Sequence, residues 1–131
     1  MKIFNKEKDF VSKVNFVDEN NIFVGYDIEQ DCCEQADWFL LDKIATSLPD
    51  EKDFNQDFDV SQYVFDAGFF QEVEVFKDGY NELDSGGMVA FKLVNKEGKE
   101  MFLHLFNSHN GYYGHGFEVK HSGVVVREDT L

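Results

Sequence analysis

Two short stretches hold the residues best able to do chemistry. Gln30-Asp31-Cys32-Cys33-Glu34 sets two adjacent thiols between two carboxylates. Asn107 to Phe117 sets Ser108, His109, Asn110, Tyr112, Tyr113 and His115 among Gly111, Gly114 and Gly116. The first reads as a helix start. Asp31 suits the N-cap, and Glu34 three residues later completes a capping-box pair. Cys32 and Cys33 then occupy the first turn as small, semi-buried residues. The same geometry lowers a thiol's pKa, because the helix dipole favours a thiolate there. Nucleophilic catalysis further needs a base, which His104, His109 or His115 supplies only through the fold. The catalytic candidates are Cys32, Cys33, His109 and His115, in a small thiol- or zinc-dependent hydrolase. No protease signature surrounds the cysteines.

The second stretch reads as a strand end followed by a glycine-punctuated turn. Asn110-Gly111 is a turn dipeptide. One of Tyr112 and Tyr113 packs inward and the other stays at the surface. Exposed Tyr, His and Asn on a rigid scaffold also suit a recognition loop. The binding candidates are Asp31, Glu34, His109, Asn110, Tyr112 and Tyr113. The glycines do not match a phosphate-binding loop, and no lysine follows at the required spacing. A zinc site of Cys32, Cys33, His109 and His115, with Asp31 in reserve, offers suitable ligands. Its spacing argues against it, since there is neither a C-x2-C nor an H-x3-H pair. No metal and no cofactor is expected. His104 falls in a strand with Phe102 and Phe106 and reads as a satisfied, half-buried histidine. Hydrolase-elbow, dinucleotide and zinc-protease motifs are missing.

With both stretches in view, the chain resembles a family of small, uncharacterised bacterial and phage proteins. The matching residues are Gln30, Asp31, Cys32, Cys33 and Glu34, then Ser108, Asn110, Gly111, Tyr112 and Tyr113. The resemblance covers roughly residues 14–121, the size of one domain. The chain departs from the family in the middle, where Asp50 to Asp59 is longer and more acidic. The resemblance brings no function with it. It does imply that the two stretches lie close in space.

Several elements must position these residues. Lys13–Val17 and Ile22–Ile28 read as strands around the turn Asp18-Glu19-Asn20-Asn21, the second with period-two alternation. Ala36, Leu40, Ile44 and Leu48 recur every four residues and predict a helix over 34–48, stopped by Pro49. Trp38-Phe39-Leu40-Leu41 also fits a short buried strand. Pro49 and the acidic stretch Asp50–Asp59 mark a long loop. Phe69–Phe76 reads as a strand, with Gly79 and Gly86-Gly87 bracketing a connection. Met88–Val94 and Glu100–Phe106 flank a hairpin turn in which Gly98 supplies positive φ. Phe117–His121 and Val124–Arg127 flank Ser122-Gly123. The expected fold is α+β: one domain over 1–131, a mainly antiparallel twisted sheet of about six strands, and one or two short helices.

Charge sets the functional expectation. Residues 18–84 carry 19 Asp and Glu against 3 Lys, within a formal net charge of −14 for the whole chain. The flanking segments are weakly basic or neutral. A surface so acidic repels nucleic acid and anionic membranes. Fifteen Phe within short β-like runs argue for a packed core rather than disorder. No apolar run, Trp38–Leu41 included, approaches a membrane span, and the first residues hold no signal-peptide core. Two adjacent cysteines give no disulfide framework, which favours a reducing, cytoplasmic setting. The function expected is a non-enzymatic acidic binding or inhibitor module that docks a basic protein.

Overall fold

The computed structural model describes residues 1–5, 13–50, 52 and 58–131. Among them the chain is almost entirely β, which corrects the α+β expectation. The strands are β1 (Lys2–Asn5), β2 (Lys13–Val17), β3 (Ile22–Asp27), β4 (Gln35–Leu41), β5 (Val64–Phe65), β6 (Gln71–Val73), β7 (Phe76–Lys77), β8 (Tyr80–Asn81), β9 (Gly87–Val94), β10 (Glu100–Ser108), β11 (Gly116–His121) and β12 (Val124–Thr130). The first sheet runs β1-β2-β3-β11-β12, and the second runs β4-β10-β9-β5 with β6 also on β9. β7 and β8 form a separate hairpin. All the strand pairings are antiparallel.

The two sheets face each other across one core. Val14, Phe16, Val24, Tyr26, Phe117 and Val119 of the first meet Trp38, Leu40, Phe91, Leu93, Leu103 and Leu105 of the second. Phe16 and Trp38 touch edge to face at 5.1 Å, a geometry that aromatic quadrupoles favour. The second sheet is covered on its outer side as well. Phe39, Met88, Ala90 and Phe106 pack there with Ala45, Val73, Val75 and Leu83. Burial on both faces explains why β10 is buried without interruption from Met101 to Asn107.

The helix expected over 34–48 is absent, and so is the helix start at Asp31. Residues 35–41 form β4, paired along its length with β10. Trp38 and Leu40 enter the inter-sheet core while Phe39 enters the outer cluster. That is period-two placement on a strand buried on both sides, which the four-residue recurrence of apolar residues imitates. Residues 42–50 follow as bends, with Ala45 anchored where its N–H donates to His104 Nε2 at 3.0 Å. His104 is fully buried rather than half-buried, and it stacks on Phe39 at 4.4 Å.

Other sequence expectations meet mixed outcomes. The hairpins at Asn95–Lys99 and Ser122-Gly123 are present, the second with positive φ at both Ser122 and Gly123. The strand expected over Phe69–Phe76 is split into β6 and the start of β7. Most of the acidic loop Asp50–Asp59 lies outside the described residues. No helix among the described residues is long and apolar enough to cross a membrane.

Strand direction sorts the connections into two ends. One end collects the finish of β3, the start of β4, the start of β9, the finish of β10 and the start of β11. Asp18–Asn21, Leu41, Asn95–Lys99 and Ser122-Gly123 lie at the other. Tyr26 ties the sheets together near the first end, where its hydroxyl donates to the Phe106 carbonyl at 2.7 Å.

Candidate functional site

Both chemistry-bearing stretches lie at that first end. Their centre is His115, which leads into β11 and is fully buried. Its Nδ1 lies 2.7 Å from the Asp27 carbonyl, which can only accept, so Nδ1 carries a proton. Its Nε2 lies 2.8 Å from Glu34 Oε2, and neither side chain is exposed. Glu34 Oε1 accepts from Cys32 N–H at 2.7 Å, and Oε2 also accepts from Asp31 N–H at 3.1 Å. Burial works against ionising Glu34. The His115 contact and the backbone N–H groups of Cys32, Asp31 and Glu34 outweigh it and hold the carboxyl at about 2. His115 is thus held at both ring nitrogens, by a main-chain carbonyl at Nδ1 and by Glu34 at Nε2. The reach-back that the capping box anticipated is real, but it closes a turn and not a helix.

More carboxylates surround the same ring. Asp31 Oδ2 lies 4.0 Å from Nε2, and Asp27 Oδ1 lies 3.8 Å from Nδ1. Asp31, Glu34 and His115 form a group whose ligand-type atoms all fall within 4.8 Å of one another. The zinc set written from the sequence is thereby revised. Of its members only His115 and the reserve residue Asp31 belong to this group. Glu34, a capping and binding residue by its sequence position, joins them.

Beside this pair opens a cavity of about 180 Å³ lined by Cys33, Glu34, Asp84, Ser108, His109, Asn110 and Tyr113. The two stretches thus converge, as the resemblance implied. Asn107 braces the loop beside the cavity. Its buried side chain donates from Nδ2 to the carbonyls of Tyr113 at 2.7 Å and Leu131 at 3.1 Å, tying the 108–114 loop to the last residue of the sequence. Ser85 N–H donates to the His109 carbonyl at 2.9 Å, docking the segment before β9 on the same loop. Gly86 permits this approach, since a Cβ there would stand 1.7 Å from the Asn107 carbonyl oxygen. Tyr112 projects outward, 83% exposed, while Tyr113 is half-buried.

The arrangement supplies little for nucleophilic catalysis. Both cysteines are free and exposed, without a helix dipole behind them. The contact with Cys32 pushes the Cys33 thiol up from its ordinary value, and the same neighbour pushes the Tyr113 hydroxyl up. His109 Nδ1 accepts the Gly111 N–H at 2.9 Å, so its lone pair is occupied. His115 is engaged at both ring nitrogens by Asp27 and Glu34, and His104 Nε2 is taken by Ala45. The imidazoles offered as bases therefore have no lone pair turned toward the thiols.

Sequence reasoning missed Asp27, Asp84, Asn107 and Gly86. The Gly86-Gly87 pair was a usable signal for close backbone approach. The carbonyl of Asp27 carried none, because a main-chain acceptor is invisible in residue type.

The chain belongs to a family described as "Domain of unknown function (DUF7448)", whose model matches residues 2–119. No curated protein and no solved structure matches it.

Proposed function

We propose that the protein is a non-enzymatic binding module that presents the acidic, tyrosine-bearing end of its sandwich to a basic protein. The observation that carries this reading is the gathering of Asp27, Asp31 and Asp84 around one loop cluster. Among the described residues no lysine or arginine lies within 4.0 Å of them. Between described residues, the lysine–carboxylate contacts Lys92–Glu100 at 3.8 Å and Lys120–Glu118 at 3.6 Å involve acids outside 18–84. Lys13 is the cation in register with Asp27. Tyr112 adds an exposed ring able to stack on a lysine or arginine. Two acids of the 18–84 segment serve the interior instead. Asp18 accepts from the N–H groups of Asn20, Ile22 and Phe65, and Glu34 is buried against His115.

A thiol-dependent hydrolase is the weaker reading, because the imidazole lone pairs are engaged and the Cys33 thiol is pushed up. The test uses a lysine- and arginine-rich peptide as probe, titrated at low and at physiological ionic strength. Affinity is expected to fall about ten-fold or more as salt rises. The Asp31→Asn/Asp84→Asn double variant is expected to weaken it further. A partner that binds regardless of salt would overturn the reading. So would an affinity that responds to Glu19 and Asp42, at the other end of the sandwich, and not to Asp31 and Asp84.

A further inference from the structure

We propose that Asp31, Glu34 and His115 form a divalent-cation site, of the zinc class, in which the ion lies between His115 Nε2 and the two carboxylates. The reading is independent of the proposed docking function. His115 has the build of a metal-ligating histidine. Its Nδ1–H is held at 2.7 Å by a main-chain carbonyl, the outer-shell contact that fixes ring orientation and aims Nε2 at the ligand. Nε2 faces one carboxylate at 2.8 Å and a second at 4.0 Å. The ring is fully buried, and so is Glu34.

The local charge favours a doubly charged occupant. One imidazole ring faces the carboxylates of Asp27, Asp31 and Glu34, which leaves the cluster negative. Among the described residues no lysine or arginine within 4.0 Å makes up the deficit. A divalent ion bound by His115 Nε2, Glu34 and Asp31 cancels its two ligating carboxylates, and any proton carried by Nε2 passes to water. One nitrogen with two carboxylate oxygens is a donor set zinc accepts, leaving a fourth position for water. Tetrahedral zinc spaces its ligand atoms by roughly 3.3 Å, so Glu34 gives slightly and the exposed Asp31 closes in. Glu34 has the capacity, since Oε1 accepts from Cys32 and Oε2 from Asp31, each keeping a lone pair. Such an ion would clamp the start of β4 to the start of β11, and with it the loop carrying Tyr112 and Tyr113.

The test is calorimetric titration of zinc chloride into untagged protein stripped with chelator and dialysed. A Cys32→Ser/Cys33→Ser variant removes the exposed thiols, which attract zinc in their own right. One ion per chain is expected in both proteins. Asp31→Asn is expected to weaken binding about ten-fold or more while leaving the zinc-free melting temperature unchanged, since its side chain is at the surface. His115→Gln is expected to abolish uptake, but Asp31→Asn decides the matter if that variant does not fold. Absence of uptake overturns the proposal. So does binding that vanishes with the cysteines, or that is indifferent to Asp31→Asn.

Discussion

Glu34 and His115 stand 81 residues apart in the chain and meet at 2.8 Å, both side chains closed to solvent. This contact joins the start of β4 in one sheet to the start of β11 in the other. It does for the end of the sandwich what Phe16 and Trp38 do for its middle. A polar contact this buried contributes little net stability against an apolar substitute, because both groups lose water. Removing one partner is a different matter.

Glu34→Gln leaves the carbonyl oxygen for one backbone N–H and takes the carboxylate away from the fully buried His115 ring. The expected loss is about 3–5 kcal/mol, measured by urea unfolding in chelator-treated buffer. The Glu34→Gln/His115→Gln pair is expected to lose less than the two single losses added together, since neither partner is then orphaned. Additive losses would show that the two side chains are not coupled.

His104 sets an acid limb on stability. Burial pushes its pKa down to about 4, against the opposing pull of the Phe102 and Phe39 carbonyls. Below about pH 6.5 the unfolded chain takes up a proton that the folded chain refuses. Stability is therefore full above that value, falls as pH drops toward 4, and levels off once the folded ring protonates. The linked loss is on the order of 3 kcal/mol. His104→Gln is expected to flatten this limb, which unfolding curves at stepped pH would reveal. An NMR titration in which the His104 ring shifts near pH 6.5 would contradict the argument.

Gly86 is the tightest steric point of the candidate site. An alanine Cβ would lie 1.7 Å from the Asn107 carbonyl oxygen, and backbone cannot yield by that much. Gly86→Ala is expected to cost more than about 4 kcal/mol or to prevent folding. Gly123→Ala is the control, since nothing lies within 4 Å of its added Cβ and only the strain of its φ of 81° remains. A mild Gly86→Ala would mean that the segment before β9 does not dock on the 108–114 loop.

How far the sequence disclosed this structure depended on where each signal lay. Local signals were reliable: Ser122-Gly123 and Asn95–Lys99 turn the hairpins their residue types announce. The helix over 34–48 failed because Ala36, Leu40, Ile44 and Leu48 match a helical stripe while Trp38, Phe39 and Leu40 are shared between two cores. Nothing in that stretch says that a second apolar layer covers the outer face of the sheet. Glu34 was found, but with the wrong partner. Its turn with Asp31 and Cys32 is local and legible, whereas its contact with His115 is a consequence of sheet packing. His109 and His115, written as equivalent bases, part company for the same reason.

Cys33 sits at the surface, yet it is not expected to behave as an activated thiol. Its neighbour Cys32 raises its pKa, and a raised pKa leaves less thiolate at neutral pH. Iodoacetamide labelling at pH 7, read by peptide mass, is expected to modify Cys33 more slowly than an ordinary exposed cysteine. Cys32→Ser is expected to speed it. Labelling of Cys33 faster than glutathione under the same conditions would revive the nucleophile.

Tyr26 offers an alkaline counterpart to His104. Its hydroxyl is buried between the sheets and donates to the Phe106 carbonyl at 2.7 Å. Burial first, then the charges of Asp27 and Asp37, push its pKa well above 10. The folded state therefore keeps the phenol neutral, so its contribution is whole below pH 10 and drains away as pH climbs past it. At pH 7 Tyr26→Phe is expected to be less stable by about 1–2 kcal/mol, because the Phe106 carbonyl loses its donor. Above pH 10 the unfolded wild type gains by ionising and the variant does not, so the two stabilities converge. Denaturant melts at pH 7, 10 and 11 would show this narrowing gap. A constant gap across that range would mean that the Tyr26 hydroxyl reaches water.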